Sequence, residues 1–212
     1  MCGRINIQSR PIRAWVLANL GIDLPIDDND DLRPTQSIGV IHSSSAEPLV
    51  GHMGRWGIQP SWAKRIIINA QAETVAEKKT FKTAIRRHRC IVPCTGWYEW
   101  RDEGGPRKQK YHFGHTSDSP LFMAGIYFSA DVPEGQQSPA PINPTTINPT
   151  PINIVTLTTK AQGVAADIHH RMPVFISPDY LNAWLTSDKE NEWLAMMHTD
   201  DSEVGNLTIQ QV

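Results

Sequence analysis

The hydrophobic positions of this chain fall in short runs, which is the pattern of β-strands rather than of long helices. Runs rich in β-branched and aromatic residues, bounded by Gly, Pro or Ser, predict strands. The runs are SIGVI (37–41), PLVGHMGRWGI (48–58), RIIIN (65–69), RCIVPCTGWYEW (89–100), PLFMAGIYFSA (120–130), INIVTLTT (152–159) and MPVFIS (172–177). Strands are therefore expected to make up most of the framework.

Four segments have the polar and apolar spacing of amphipathic helices. They are RPIRAWVLANLG (10–21), ETVAEKKTFKTAIRR (73–87), SPDYLNAWL (177–185) and KENEWLAMM (189–197). In the second, Thr74 and Glu77 have the spacing of a capping box. Because strands and helices do not alternate regularly, we predict an α+β fold of curled, mainly antiparallel sheets with a few flanking helices.

The length of 212 residues predicts one domain over 1–212. One segment, 138–152, is rich in proline and repeats the letters INP. Proline lacks a backbone donor and fixes φ, so we predict a surface loop insert there. No run of about 18 apolar residues is present, and no membrane association is expected.

Charge is distributed unevenly, although the net charge is only −2. Residues 55–110 hold thirteen of the 20 Lys and Arg, which indicates a basic face and an anionic partner, unless these side chains are simply a solvated surface. The three cysteines are too few for a disulfide framework and indicate a reducing, intracellular compartment.

Cys2 stands directly behind the initiator methionine, which is readily trimmed from in front of so small a residue. The mature chain then begins with an amine and a thiol on one residue. The α-amine has a pKa of roughly 7.7–8.0, so part of it is neutral and nucleophilic near pH 7. It can attack an aldehyde to give a Schiff base, and the thiol can close a thiazolidine ring at little entropic cost. A cysteine that is merely tolerated at position 2 is the alternative.

Glu99 lies among aromatic residues in GWYEW. Apolar surroundings raise the pKa of a carboxyl and suit it to proton transfer. The alternative is an outward-facing strand glutamate, because Trp97, Tyr98 and Trp100 do not all share one face of a strand.

A second cluster, DIHHRMP, places His169 and His170 before Arg171. It can supply an acid/base and a phosphate clamp. A third, RWGIQPSWAKR, interleaves Trp56 and Trp62 with cations. That combination suits single-stranded nucleic acid, whose bases stack while its phosphates pair. Two core tryptophans are the alternative.

No metal site or cofactor is predicted. His88, Cys90 and Cys94 do not have a recognised zinc spacing. The two cysteines are four residues apart in a predicted strand, so they face the same way. We interpret them as buried packing residues, with a free-thiol role as the alternative.

The order of these motifs resembles one known family. MCGR, RPTQ, RWGIQPSW, INAQAET, RCIVPCTGWYEW, PLFMAGIY, IVTLTT and IHHRMPVFISP follow one another as in the SRAP family, the SOS-response-associated peptidase domain. The resemblance covers nearly the whole chain. It implies binding of single-stranded DNA and a covalent crosslink to abasic sites, formed as a thiazolidine. A monomer in the cytoplasm, nucleoid-associated in a bacterium, is expected.

The resemblance also implies roles for individual residues. The implied catalytic residues are Cys2 as nucleophile, Asn69 to orient the linkage, Glu99 as acid/base and His169 to protonate the sugar oxygen. The residues implied to meet DNA or to support the site are Arg4, Trp62, Gln71, Lys79, Thr158 and Arg171. Removal of residues before Cys2 by the chain's own peptidase activity is a further implication.

Three positions depart from the family pattern. Gln71 replaces an arginine, Asp31 replaces an asparagine and Arg33 replaces an alanine. They affect the expected DNA contacts and leave the four catalytic positions intact. The alternative functions are an N-terminal-nucleophile cysteine amidohydrolase, in which the Cys2 thiol attacks an amide, a peptidase, and a non-catalytic DNA-binding module.

Overall fold

The computed structural model describes residues 2–43, 49–129, 151–198 and 201–212, and strands hold more of these residues than helices do. The strands are β1 (Ile5–Ile7), β2 (Asn29–Leu32), β3 (Ser37–His42), β4 (Val50–Trp56), β5 (Asn69–Gln71), β6 (Arg89–Cys94), β7 (Gly96–Arg101), β8 (Gln109–His115), β9 (Leu121–Ser129), β10 (Ile152–Lys160), β11 (Arg171–Pro173) and β12 (Leu207–Gln211). The helices are α1 (Ser9–Leu20), α2 (Lys82–Arg87), α3 (Gly163–Ala166), α4 (Leu181–Thr186), α5 (Glu190–Met196) and α6 (Asp201–Gly205). The predicted α+β class is confirmed.

Within these described ranges the strands form two sheets. One has five strands in the order β12-β8-β7-β1-β2, and the other has seven, β11-β10-β4-β3-β6-β9 with β5 also paired to β10. Strand β9 pairs with β6 along one edge and with β10 along the other, so the second sheet closes on itself. Most pairs are antiparallel, whereas β10 runs parallel to β4 and β5. The curled, mainly antiparallel sheets that the sequence predicts are therefore present.

Aromatic side chains join the two sheets. Trp97 of β7 is fully buried and stacks on Phe113 of β8, with ring centroids 4.6 Å apart. Its other neighbour is Phe175, at 5.2 Å, which is bridged to Met123 of β9 in the closed sheet. The apolar core therefore lies between the sheets, and inward residues of β7 face it.

The run 89–100 does not form one strand. It divides at Thr95 into β6 of the closed sheet and β7 of the five-stranded sheet. The Thr95 hydroxyl lies 2.5 Å from Oδ1 of Asn6 and its backbone N–H donates to the Asn6 carbonyl, so the corner is tied to β1. This turn brings Glu99 next to the N-terminal strand.

The predicted helix over 73–87 is wrong for its first two turns. Only Lys82–Arg87 is helical, and turns precede it. Val75 is fully buried, as are Ala84 and Ile85. At 3.6 residues per turn Val75 and Ala84 would lie on opposite faces of one straight helix, so such a helix could not bury both against the same core. The capping box is also absent, because the Thr74 hydroxyl is buried without a hydrogen bond.

The other three predicted helices are confirmed, with a 3-10 turn at Pro178–Tyr180 leading into α4. No helix in the described ranges is long and apolar enough to cross a membrane. Residues 138–150 of the predicted insert lie outside the described residues, and Ile152 already belongs to β10.

Candidate functional site

Cys2 lies three residues before the strand β1, which is flanked by β2 and β7. Beyond the paired residues the backbone N–H of Tyr98 donates to the Arg4 carbonyl at 3.0 Å, so the N-terminal segment continues alongside β7 toward Glu99. Cys2 is only 1% exposed. The residue that the sequence singles out as nucleophile is therefore held inside the fold.

Asn69 binds the backbone of Cys2. Its Nδ2 donates to the Cys2 carbonyl at 2.8 Å. The hydroxyl of Thr156 on β10 lies 2.6 Å from Asn69 Oδ1, and the strand register places the two residues opposite each other. Because the hydroxyl can donate to Oδ1, the amide nitrogen is left to face Cys2. The Asn69 side chain is thereby oriented as a donor.

Glu99 shares the inner face of β7 with Trp97, because alternate residues of a strand point the same way. It is 3% exposed. Burial disfavours the charged form and raises the pKa of the Glu99 carboxyl to about 7. The alternative of an outward-facing glutamate is wrong. Near neutral pH this carboxyl can both donate and accept a proton.

The charge of Glu99 affects the pKa of the Cys2 thiol. Burial raises its pKa well above the ordinary value, and the negative charge of the ionised Glu99 carboxylate raises it further. The thiol therefore stays protonated at neutral pH in this structure. Cys90 and Cys94 are buried free cysteines, as expected of packing residues.

His169 lies on the loop before β11. Its Nδ1 is 3.0 Å from the Arg171 backbone nitrogen and 3.1 Å from the Arg171 carbonyl oxygen. The neutral ring can accept from the first, and the protonated ring can donate to the second, so both charge states keep a partner at Nδ1. Burial lowers the pKa of His169. The loop leads into β11, and β11 pairs with β10. Because β10 also pairs with β5, the same strand connects this loop with Asn69.

Arg171 forms a bidentate ion pair. Its two terminal nitrogens lie 2.7 and 2.8 Å from the two carboxylate oxygens of Glu73, and Nη2 is also 2.5 Å from the Thr158 carbonyl. Thr158 itself is 1% exposed. The structure therefore places Thr158 behind Arg171 as a support, and Arg171 holds the start of the 73–81 segment to β10.

The other residues expected to meet DNA are more accessible. Trp62 is 61% exposed, which fits the interpretation that it stacks on bases. Trp56 is fully buried, which fits the alternative of a core tryptophan. Gln71 and Lys79 are exposed. Arg4 is partly buried, bound to Asp31 and positioned over the Trp100 ring at 5.6 Å. Their roles toward DNA stay predictions.

Metal ligands are not clustered in the described part of the chain: no group of three or more His, Cys, Asp or Glu residues there could hold a metal ion.

Residues 1–212 match the family model described as SOS response associated peptidase (SRAP), and the chain belongs to this family. The Bacillus subtilis (strain 168) relative "Abasic site processing protein YoqW" is 30% identical over 217 residues, covering 98% of this chain and 86% of that protein. "Abasic site processing protein YedK" of Escherichia coli (strain K12) is 30% identical over 194 residues, covering 89% and 81%.

Solved structures have the same fold. A phage-related protein of Bordetella bronchiseptica superposes with a TM-score of 0.75 at 23% identity, covering 100% of this chain and 94% of that one. A Bacteroides thetaiotaomicron protein gives a TM-score of 0.74 at 23% identity, covering 100% and 92%.

Three residues at the site were not assigned a role from the sequence. Thr156 orients Asn69, Glu73 pairs with Arg171, and Asp31 binds Arg4. Each contact joins residues 27 to 98 positions apart, so nothing in the local pattern indicates it. Asp31 was visible only as a departure from the family pattern.

Proposed function

We propose that this protein, once Met1 is removed, binds single-stranded DNA and captures abasic sites covalently through Cys2. The observation that carries the proposal is the juxtaposition of Cys2 with a buried carboxyl whose pKa is about 7 and with an oriented amide donor. The names of the relatives, abasic site processing proteins, support the choice of substrate.

The first step is attack of the neutral Cys2 amine on C1 of the open-chain abasic sugar. The nitrogen–carbon bond forms, the aldehyde oxygen takes a proton, and the amine loses one to give a carbinolamine. Loss of that hydroxyl as water then gives the imine. Water leaves only if its oxygen is protonated, and the Glu99 carboxyl is half-protonated near pH 7, which suits it to supply that proton.

The second step is ring closure. The Cys2 sulfur bonds to the imine carbon, the carbon–nitrogen π electrons move to nitrogen, and the thiol proton goes to that nitrogen. The product is a thiazolidine, and no oxidant or reductant is consumed. Because both nucleophiles belong to one residue, closure is intramolecular.

The supporting groups act on position and protons. Asn69, held by Thr156, fixes the Cys2 carbonyl and so the direction of its amine and thiol. His169 keeps a partner at Nδ1 in both charge states, which suits it to exchange a proton with the sugar oxygen. Reversal uses the same groups in the opposite order.

The high pKa of the Cys2 thiol bears on the alternatives. An amidohydrolase or peptidase that attacks with sulfur needs a thiolate, and burial beside Glu99 disfavours one. An amine-first reaction with an aldehyde does not need it, because sulfur adds only after the electrophilic imine has formed. The family description as a peptidase keeps release of Met1 by the chain's own activity as a second candidate.

Incubation with a single-stranded oligonucleotide that carries one abasic site tests the proposal. We expect a band on a denaturing gel that contains both protein and DNA, and no such band with an undamaged oligonucleotide. Hydrolysis of a peptide or amide without any DNA adduct would favour the thiol-first alternatives.

A further inference from the structure

A carboxylate joins two arginines beside the N-terminal segment. Oδ2 of Asp31 lies 2.6 Å from Nη1 of Arg4, 2.5 Å from Nη2 of Arg33 and 3.0 Å from Nε of Arg33. All three side chains reach solvent, with exposed fractions of 29% for Arg4, 33% for Asp31 and 58% for Arg33. The cluster carries a net charge of +1.

Asp31 accepts hydrogen bonds from only some of the donors of the Arg4 and Arg33 guanidiniums. A guanidinium has five N–H donors. In the described part of the chain, Arg4 directs Nη1 at Asp31, and Arg33 directs Nε and Nη2 at it. The other nitrogens retain donors that can form the paired hydrogen bonds with which arginine binds phosphate oxygens.

The backbone around Arg33 is held in a defined turn. Its N–H donates to Oε1 of Gln36 at 2.6 Å, and the Gln36 N–H donates back to the Arg33 carbonyl. Thr35 has φ of +76°, an unusual conformation for a β-branched residue, and its N–H donates to the Trp56 carbonyl. Strained backbone of this kind persists where the surrounding contacts fix it and is concentrated at functional sites.

We propose that Arg33 is a DNA-binding residue and that Asp31 holds it beside Arg4, so that the two guanidiniums form one site for a phosphodiester. Arg4 is two residues from Cys2, and an extended chain places their Cα atoms at most about 7 Å apart. The site therefore serves the phosphate next to the captured nucleotide. This inference rests on the proposed function for the identity of the anion.

Substitutions that change the charge of the cluster in opposite directions distinguish the contributions of Arg33 and Asp31. Arg33→Ala lowers the net charge of the cluster to 0, and Asp31→Asn raises it to +2. One phosphate contact on a single strand contributes about 0.7 to the slope of log affinity against log salt, or about 2.6-fold in affinity for a fourfold change in salt. We expect Arg33→Ala to make the slope shallower by that increment. The amide oxygen of an asparagine can still accept a hydrogen bond from Arg33, so we expect Asp31→Asn to keep the two guanidiniums together and to make the slope steeper.

A matched ion pair provides the control. Arg13 of α1 binds Asp23 at 2.8 Å, and both side chains are exposed. Arg13→Ala and Asp23→Asn change the charge of the whole protein by the same amounts as the two test variants. The proposal predicts that they leave the salt slope unchanged.

The experiment is a salt titration of affinity for an undamaged single-stranded oligonucleotide, with the full chain and all four variants. Equal effects at both ion pairs, or an unchanged slope in Arg33→Ala, overturn the inference. So does the absence of any salt-dependent binding. The abasic crosslinking gel is scored separately: a failed crosslink with an intact Arg33 effect contradicts the proposed function and leaves this inference standing.

Discussion

Glu99→Gln makes the most informative perturbation, because it replaces a buried titratable group by a neutral one of the same shape. The Glu99 carboxyl is 3% exposed, and burial raises its pKa from 4.5 to about 7. The unfolded chain ionises this group near 4.5, whereas the folded chain keeps it protonated until about pH 7. Between these two pH values the folded protein therefore holds a proton on Glu99 that the unfolded chain has released.

The size and sign of the effect follow from this difference. Each unit of pKa corresponds to about 1.4 kcal/mol, so ionisation of Glu99 costs the fold about 3 kcal/mol above pH 7 and about 1 kcal/mol at pH 5. The cost is absent well below pH 4.5, where both states are protonated. The free energy of unfolding of the wild type should thus fall with rising pH between 4.5 and 7, relative to Glu99→Gln.

Urea unfolding of both proteins at about pH 5 and about pH 8 measures this difference. Titrating groups that do not interact with Glu99 are common to both and cancel. We expect the advantage of Glu99→Gln to grow by about 2 kcal/mol between the two pH values. The same substitution should slow crosslinking by roughly 10²–10⁴-fold, the usual contribution of a general acid/base. An advantage that does not depend on pH would refute the raised pKa, and an unchanged rate would refute the proton-transfer role.

Two further substitutions test the positioning and binding residues. Thr156→Val removes the hydroxyl that orients Asn69, and loss of one hydrogen bond of about 1 kcal/mol should slow crosslinking several-fold with single-strand affinity retained; a parallel loss of affinity would make Thr156 a general structural residue instead. Gln71→Arg should add one phosphate contact at the exposed end of β5, steepening the salt slope by about 0.7. An unchanged slope would mean that residue 71 does not face the DNA backbone, and Gln71→Lys is the check that charge alone is responsible.

The parts of the fold that sequence predicted were those encoded locally. Helix α1 ends where Gly21 adopts φ of +69°, which is the stop that a glycine there indicates. The aromatic neighbours of Glu99 are adjacent in the chain and made a buried carboxyl one of two interpretations, and the burial of Glu99 in the structure decides for it. The prediction of a helix over 73–87 was wrong for its first part, because Val75 is buried by tertiary contacts that override the local helical spacing.

The parts of the site that sequence missed depend on pairing between distant strands. Asn69 is a useful donor only because parallel pairing of β5 and β10 places Thr156 opposite it. The Glu73 contact of Arg171 arises in the same way across 98 positions. Side-chain spacing along one strand carries no information about which other strand will lie beside it.

The mass of the covalent product tests the central claim most directly. A chain whose intact mass shows that Met1 is absent is mixed with an abasic single strand and measured by denaturing mass spectrometry. We expect the sum of protein and DNA less one water, stable without reductant, and we expect Cys2→Ala to give an adduct only when borohydride traps the imine. A stable adduct formed by a chain that retains Met1, or by Cys2→Ala without reductant, would contradict thiazolidine capture by Cys2.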